Sequence, residues 1–322
     1  MRLRERRPLR QPDLRAGAAA AKMRGAAEMV SFLNPKLRQL VEQATGAGAC
    51  MCWSCSSCDS ECPVEVATNR LRPQRVVRYA NLGLIEDLIA LPEIWYCLSC
   101  RRCNRVCPNQ VKPETLIQYA RTEALLRGVV SWEVHTQHAE LMQRVHRARW
   151  HAARESRNGE LPAVDRQRLR QWMETPVSGT DSAVLPSARL FQSPRLSRSA
   201  TACFTCGECS SSCPVACGRD VFDPRYLFRL AHLGLREELL KTPSLWLCVQ
   251  CGRCTDVCSQ GVDGCGLIAE LRAAALAEQA VDDGFSLRFA EAQKPIYQQL
   301  LDEIDRLLEA ARAVTPVCKA SR

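Results

Sequence analysis

Sixteen of the twenty cysteines fall into four groups of one form, C-x2-C-x2-C-x3-C. They are Cys52, Cys55, Cys58, Cys62; Cys97, Cys100, Cys103, Cys107; Cys203, Cys206, Cys209, Cys213; and Cys248, Cys251, Cys254, Cys258. Thiols so crowded can bind metal or pair as disulfides. Three thiolates at x2 spacing suit three iron corners of one iron–sulfur cube, and the short gaps let backbone N–H groups turn toward its sulfides. Structural zinc sites usually show paired C-x2–4-C knuckles instead. Disulfide-dense chains are mostly small secreted domains, whereas this chain has 322 residues.

The spacing is that of bacterial two-cluster proteins, in which the fourth cysteine of one motif ligates the other cluster. That rule, carried over, expects four [4Fe–4S] clusters. The first takes Cys52, Cys55, Cys58 and Cys107, and the second Cys97, Cys100, Cys103 and Cys62. The third takes Cys203, Cys206, Cys209 and Cys258, and the fourth Cys248, Cys251, Cys254 and Cys213. Pro63, Pro108 and Pro214 follow three of the motifs, and Ser259 replaces proline after the last. Proline is not a ligand, so the third cluster is expected to survive this change. Arg101, Arg102, Arg105 and Arg253 lie in the motif loops. Positive charge there favours a reduced cluster; simple solvated arginines are the other reading.

The chain is a duplication. All sixteen cysteines repeat at one offset, 203 − 52 = 151 and 248 − 97 = 151. Pro73, Arg78, Ala80, Gly83 and Trp95 recur as Pro224, Arg229, Ala231, Gly234 and Trp246 at the same offset. Cys50, Cys217, Cys265 and Cys318 fall outside the motifs and read as ordinary thiols.

The elements that position the motifs read as helices. Asn34-Pro35 is a cap followed by proline at the first helical position, with a stop at Gly46. Pro73 and Pro224 open helices that end near Gly83 and Gly234; Asp223 suits the second as a cap. Pro92 and Pro243 start short turns carrying Trp95 and Trp246. Pro113 opens a helix toward Gly128, and Asp263 caps its counterpart. Between the motifs no period-2 run of β-branched residues is found, so the fold class is all-α. The expected divisions are 1–40, a basic tail and first helix; 41–128, module 1; 129–198, a basic helix and linker; 199–282, module 2; and 283–322, an amphipathic helix. Residues 132–157 should form the basic helix, and residues 161–200, rich in Pro, Ser and Arg, a linker. Ile296, Leu300, Leu301, Ile304, Leu307 and Leu308 have helical spacing, expected to pack on module 2. Residues 1–28 read as disordered, and Met29 as a more ordinary start.

The net charge of +9 suits solubility or an acidic partner, and no basic-aromatic pattern of a nucleic-acid module accompanies it. No secretory signal and no run of roughly 18 apolar residues is seen. A cytoplasmic protein in a reducing compartment, without direct membrane insertion, is expected. His135, His138, His146 and His151 sit on the basic helix and read as polar interface groups.

The layout of motif, helix with Leu82-Gly83-Leu84, then Pro92, Trp95 and a second motif resembles the C subunit of heterodisulfide reductase. It occurs twice. The resemblance implies two α-helical ferredoxin modules in tandem, each with two [4Fe–4S] clusters. It further implies an electron relay between a flavoprotein subunit and a catalytic partner with cysteine-rich CCG domains. The chain has no adjacent Cys-Cys pair and no G-x-G-x-x-G fingerprint, so a non-catalytic subunit is expected. An iron–sulfur subunit of a flavin-linked dehydrogenase delivering electrons toward quinone is the alternative, and a redox sensor or scaffold a third.

Overall fold

The computed structural model describes residues 33–157, 159, 163–177 and 201–314. The tail expected at 1–28, most of the 161–200 linker and Cys318 lie outside them. Among the described residues the regular structure is helical, with one isolated β-bridge between Gly218 and Phe222.

Module 1 opens with α1 (Pro35–Thr45), where the Asn34 side chain accepts from Leu37 N at 3.2 Å and Gly46 closes the helix in the left-handed region. Short helix α2 (Ser57–Ser60) lies within the first motif, and α3 (Pro63–Thr68) follows it. Next come α4 (Pro73–Leu82), α5 (Ile85–Ala90) and α6 (Glu93–Tyr96). The second motif carries α7 (Arg102–Val106) and leads into α8 (Pro113–Leu126). Gly83 ends α4 at φ +70°, and a Cβ there would collide with the Asn34 carbonyl oxygen. Only glycine lets α1 start this close to the end of α4.

After α9 (Trp132–Ser156) and α10 (Arg166–Glu174), module 2 repeats the plan. It has α11 (Glu208–Ser212), α12 (Pro224–His232), α13 (Arg236–Lys241), a 3-10 turn (Pro243–Leu247), α14 (Arg253–Asp256) and α15 (Gly264–Ala277). Asp223 and Asp263 cap α12 and α15 through their side chains. The last helix, α16, spans Phe285–Val314.

Helix α10 corrects the reading of 161–200 as linker throughout. Asp165 caps it, accepting from Arg168 N at 2.7 Å, and Leu169, Trp172 and Met173 bury one face. Glu155 of α9 accepts from Trp172 Nε1 at 3.1 Å and pairs with Arg168. These apolar residues, spaced i, i+3, i+4, outweigh the polar composition around them.

The repeat also reaches further than the motifs. At the offset of 151, Val134, Leu141 and Val145 of α9 fall on Phe285, Ala292 and Ile296 of α16, and all six are buried. The two long helices pack on each other, and each also crosses to the opposite module. On α9, Arg149 Nη2 donates to Leu247 O at 3.2 Å and Trp150 Nε1 to Ser244 Oγ at 3.2 Å. On α16, Asp302 accepts from Arg70 at 2.9 Å, and Asp305 bonds both Arg70 and Tyr96. Thus α16 packs on both modules rather than on the second alone: Phe285 meets Trp246 at 4.5 Å between ring centroids, while its far end grips module 1.

Candidate metal centres

The first three cysteines of every motif sit on one backbone pattern. The second and fourth residues after the leading cysteine are left-handed in all four motifs. These are Ser54 and Ser56, Ser99 and Arg101, Thr205 and Gly207, and Gln250 and Gly252. Six of the eight are not glycine, and such conformations cost of order 1–3 kcal/mol each where they persist. What they achieve is visible at the sulfurs. Backbone N–H groups of Ser54, Ser99 and Gln250 donate to Cys52, Cys97 and Cys248 Sγ at 3.4, 3.3 and 3.4 Å. Val111 N and Val262 N each donate to the fourth-position sulfurs of Cys107 and Cys258 at 3.4 Å. N–H dipoles aimed at sulfur stabilise thiolate charge.

Three hollows collect the motif cysteines. One is lined by Cys52, Cys55, Cys58 and, from the second motif, Cys107. One has Cys97, Cys100, Cys103 and, from the first motif, Cys62. In module 2, one has Cys203, Cys206, Cys209 and Cys258, with Cys254 also in its lining. The remaining quartet is also assembled: Cys213 is close enough to Cys248 and Cys251 for their charges to raise it, and Cys254 feels all three. In all three hollows the fourth-position cysteine stands with the first three cysteines of its sister motif. The described cysteines are all free thiols, and no group of three or more His, Cys, Asp or Glu among described residues converges on a single-ion site. Four sulfurs around a hollow, with inward N–H groups, fit a multi-iron cube better than one ion.

Burial holds these thiols neutral until iron binds. Desolvation pushes Cys58 and Cys62 up to about 12, Cys97 to about 11 and Cys213 to about 12, and also raises Cys103 and Cys254. Iron must therefore displace a proton from each.

Family models for a 4Fe-4S dicluster domain match residues 51–112 and 199–262. The chain carries two 4Fe-4S dicluster domains in tandem. Two such domains give four [4Fe–4S] clusters, and when bound these accept and release single electrons. Curated relatives are named as the C subunit of heterodisulfide reductases. The C subunit of the H(2):CoB-CoM heterodisulfide,ferredoxin reductase of Methanothermobacter thermautotrophicus is 29% identical over 99 residues, covering 31% of this chain and 53% of that protein. An Archaeoglobus profundus protein, named as similar to the C subunit of heterodisulfide reductase, is 37% identical over 79 residues, 24% of this chain and 42% of its own length. The iron-sulfur C subunit of the CoB--CoM heterodisulfide reductase of Methanopyrus kandleri is 39% identical over 64 residues, 20% and 33% respectively. The chain spans about half the length, or less, of these relatives.

Two further residues of the sites were missed in the sequence. Arg121 and Arg272 stand at the repeat offset and play one role. Arg121 Nε donates to Ile94 O at 2.6 Å, and its Nη2 to Trp95 O and Cys97 O at 3.1 and 2.7 Å. Arg272 donates to Leu245 O at 3.0 and 2.9 Å and to Cys248 O at 2.7 Å. Each guanidinium also lies over a tryptophan, Trp95 at 5.7 Å and Trp246 at 5.5 Å. Their shared offset was the available signal. The histidines act as helix pins: His138 Nε2 bonds Trp95 O at 2.9 Å in module 1, and His146 Nε2 bonds Pro214 O at 3.3 Å in module 2. Among the loop arginines, Arg101 and Arg253 form ion pairs rather than standing free in solvent.

Proposed function

We propose that this chain is the electron-relay subunit of a heterodisulfide-reductase-like complex, linking a flavoprotein to a catalytic CCG-domain partner in a reducing, cytoplasmic compartment. In this reading the four ligand sets are those expected from the motif rule. Cys52, Cys55, Cys58 and Cys107 hold one cluster, and Cys97, Cys100, Cys103 and Cys62 the second. Cys203, Cys206, Cys209 and Cys258 hold the third, and Cys248, Cys251, Cys254 and Cys213 the fourth. The crossing of each fourth cysteine to its sister motif carries the reading.

The exposure of the sites supports a relay with two ends. In the first motif of each module the residue after the leading cysteine is an exposed aromatic: Trp53 is 74% exposed and Phe204 59%. In the second motifs the same position is Leu98 at 4% and Val249 at 6%. Cys55 and Cys206 are exposed, whereas Cys100 and Cys251 are buried. In this reading each module has an outer site open to a partner and a more deeply buried inner site. Among the described residues no helix is long and apolar enough to cross a membrane, which fits partners delivering and removing electrons at a protein surface.

The test is anaerobic purification from the native source. Roughly sixteen irons and as many acid-labile sulfides per chain are expected from four cubes, together with a flavoprotein and a CCG-domain protein. Stoichiometric zinc without sulfide would refute the cluster assignment. Disulfide reduction by the chain alone at an enzymatic rate would refute the relay. Co-purification with a flavin dehydrogenase and no CCG-domain protein would favour delivery toward quinone.

A further inference from the structure

The two inner loops, residues 97–107 and 248–258, face each other across the module boundary with reciprocal contacts. Arg101 Nη1 of module 1 pairs with Asp256 Oδ2 of module 2 at 2.7 Å. At the repeat offset Arg101 corresponds to Gly252 and Asp256 to Arg105. Those two residues also meet, since the Arg105 guanidinium lies against Gly252 where any side chain would stand. Arg253 Nη2 pairs with the buried Glu114 Oε1 at 2.6 Å. Arg105 Nη2 also reaches the sulfur of Cys265, which stands at the mate position of Glu114, at 3.6 Å, although the strict mate of Arg253 is Arg102. Cys100 and Cys251 are repeat mates of each other, one in each of the facing loops. Residue i touching j while the mate of j touches the mate of i is the signature of an isologous contact about a two-fold axis. The crossed arms α9 and α16 obey the same relation.

We infer that these loops form one pseudo-two-fold joint that sets the inner site of module 1 beside the inner site of module 2, making the two modules a single redox unit. The inference rests on the cluster reading given above. The joint is built where electrons need it: both inner motifs are turned inward, and no outer-motif residue takes part in its ion pairs. Exchange across it moves one electron, oxidising one inner site as the other is reduced, with no bond or proton transferred. Glu114 is the least replaceable member, because it is a buried carboxylate whose charge is answered by Arg253.

The experiment uses the full chain, loaded anaerobically, reduced with dithionite and examined by EPR power saturation beside iron analysis. Wild-type protein is expected to show fast-relaxing, mutually broadened signals from coupling across the joint. Glu114→Arg sets two arginines face to face. It should reduce the power needed for half-saturation several-fold at unchanged iron content, and the swap E114R/R253E should restore it. Asp256→Arg, at the exposed rim, should act in the same direction more weakly and serves if E114R does not fold. Identical saturation in wild type, D256R and E114R at equal iron overturns the joint, as does failure of the swap to restore coupling. Iron-free wild-type chain sinks the cluster reading and the joint together, and the iron analysis tells that failure from the other.

Discussion

Replacing Arg121 with glutamine removes a unit positive charge from beside the inner site of module 1 while leaving an amide to serve some of its carbonyl partners. Burial lowers the guanidinium pKa, but it starts so high that the group stays charged at any working pH. Its Nη2 lies 2.7 Å from Cys97 O, and a separation of about 7 Å between charge and cluster sets the scale of the effect. With an effective dielectric near 20, one charge at that distance is worth ~2.4 kcal/mol. For a one-electron couple this is ~100 mV, since a tenfold change corresponds to about 59 mV. A cluster gains negative charge on reduction, so Arg121 stabilises the reduced form and R121Q should lower one midpoint potential by something under ~100 mV. The assay is an EPR-monitored redox titration of the loaded chain. Arg121→Lys keeps the charge but loses the forked donor set, so it should keep most of the potential while losing stability. Arg272→Gln should shift a second couple in the same direction. If R121Q retains its iron and every midpoint stays where it was, the buried arginines are structural struts and the electrostatic reasoning is wrong.

Acid stability should depend on His138 and His146, whose pKa values burial depresses to about 3. A histidine lowered on folding stabilises the fold above its unfolded pKa near 6.5, and that stability is lost as pH falls toward 3. At pH 5 the loss is about 2 kcal/mol per histidine. Urea unfolding at pH 7.5 and 5 should show it, with a flatter dependence in His138→Gln. Loading the apo chain with iron and sulfide at pH 8 should release about one proton per buried cysteine, measurable in a pH-stat, because Cys62, Cys97 and Cys213 are protonated there. Gly83→Ala should cost about 1–3 kcal/mol in thermal or urea unfolding through left-handed strain and the clash with Asn34. Leu300→Ala, at a fully buried position of α16, should cost about 2–5 kcal/mol in the same measurement.

What the sequence made legible was local. The four motifs, the Asn34, Asp223 and Asp263 caps and the prolines that start helices act within a few residues, and the structure shows the caps and helix starts where the spacing puts them. What stayed hidden depended on tertiary contact. Arg121 and Arg272 repeat at 151 like the cysteines, but an arginine on a helix face looks solvated until its carbonyl partners are known. The α9 and α16 arms share almost no side chains at that offset. Their kinship lies in which positions are buried, and that is set by a neighbour far away in the chain. Helix α10 was obscured because Leu169, Trp172 and Met173 sit in strongly polar company.

The crossed arms suggest why the two halves share one chain. The ion pairs of the joint are weak supports alone: Asp256 is 60% exposed at its side chain and such a surface pair contributes at most about 1 kcal/mol, while the attraction in the Glu114–Arg253 pair, with its buried carboxylate, is largely offset by its own desolvation. Two separate modules meeting only through them would pay the full cost of association, several kcal/mol at least. Here α9 is anchored in module 1 through His138 and in module 2 through His146 and Arg149, and α16 is anchored through Phe285 and Asp305 in the reverse sense. Each arm converts docking of the inner loops into an intramolecular event, for which the effective concentration is high without any added contact. The joint can then be polar, narrow and set by charge, because its loops carry the redox sites and the apolar area that holds the modules together is supplied by the arms.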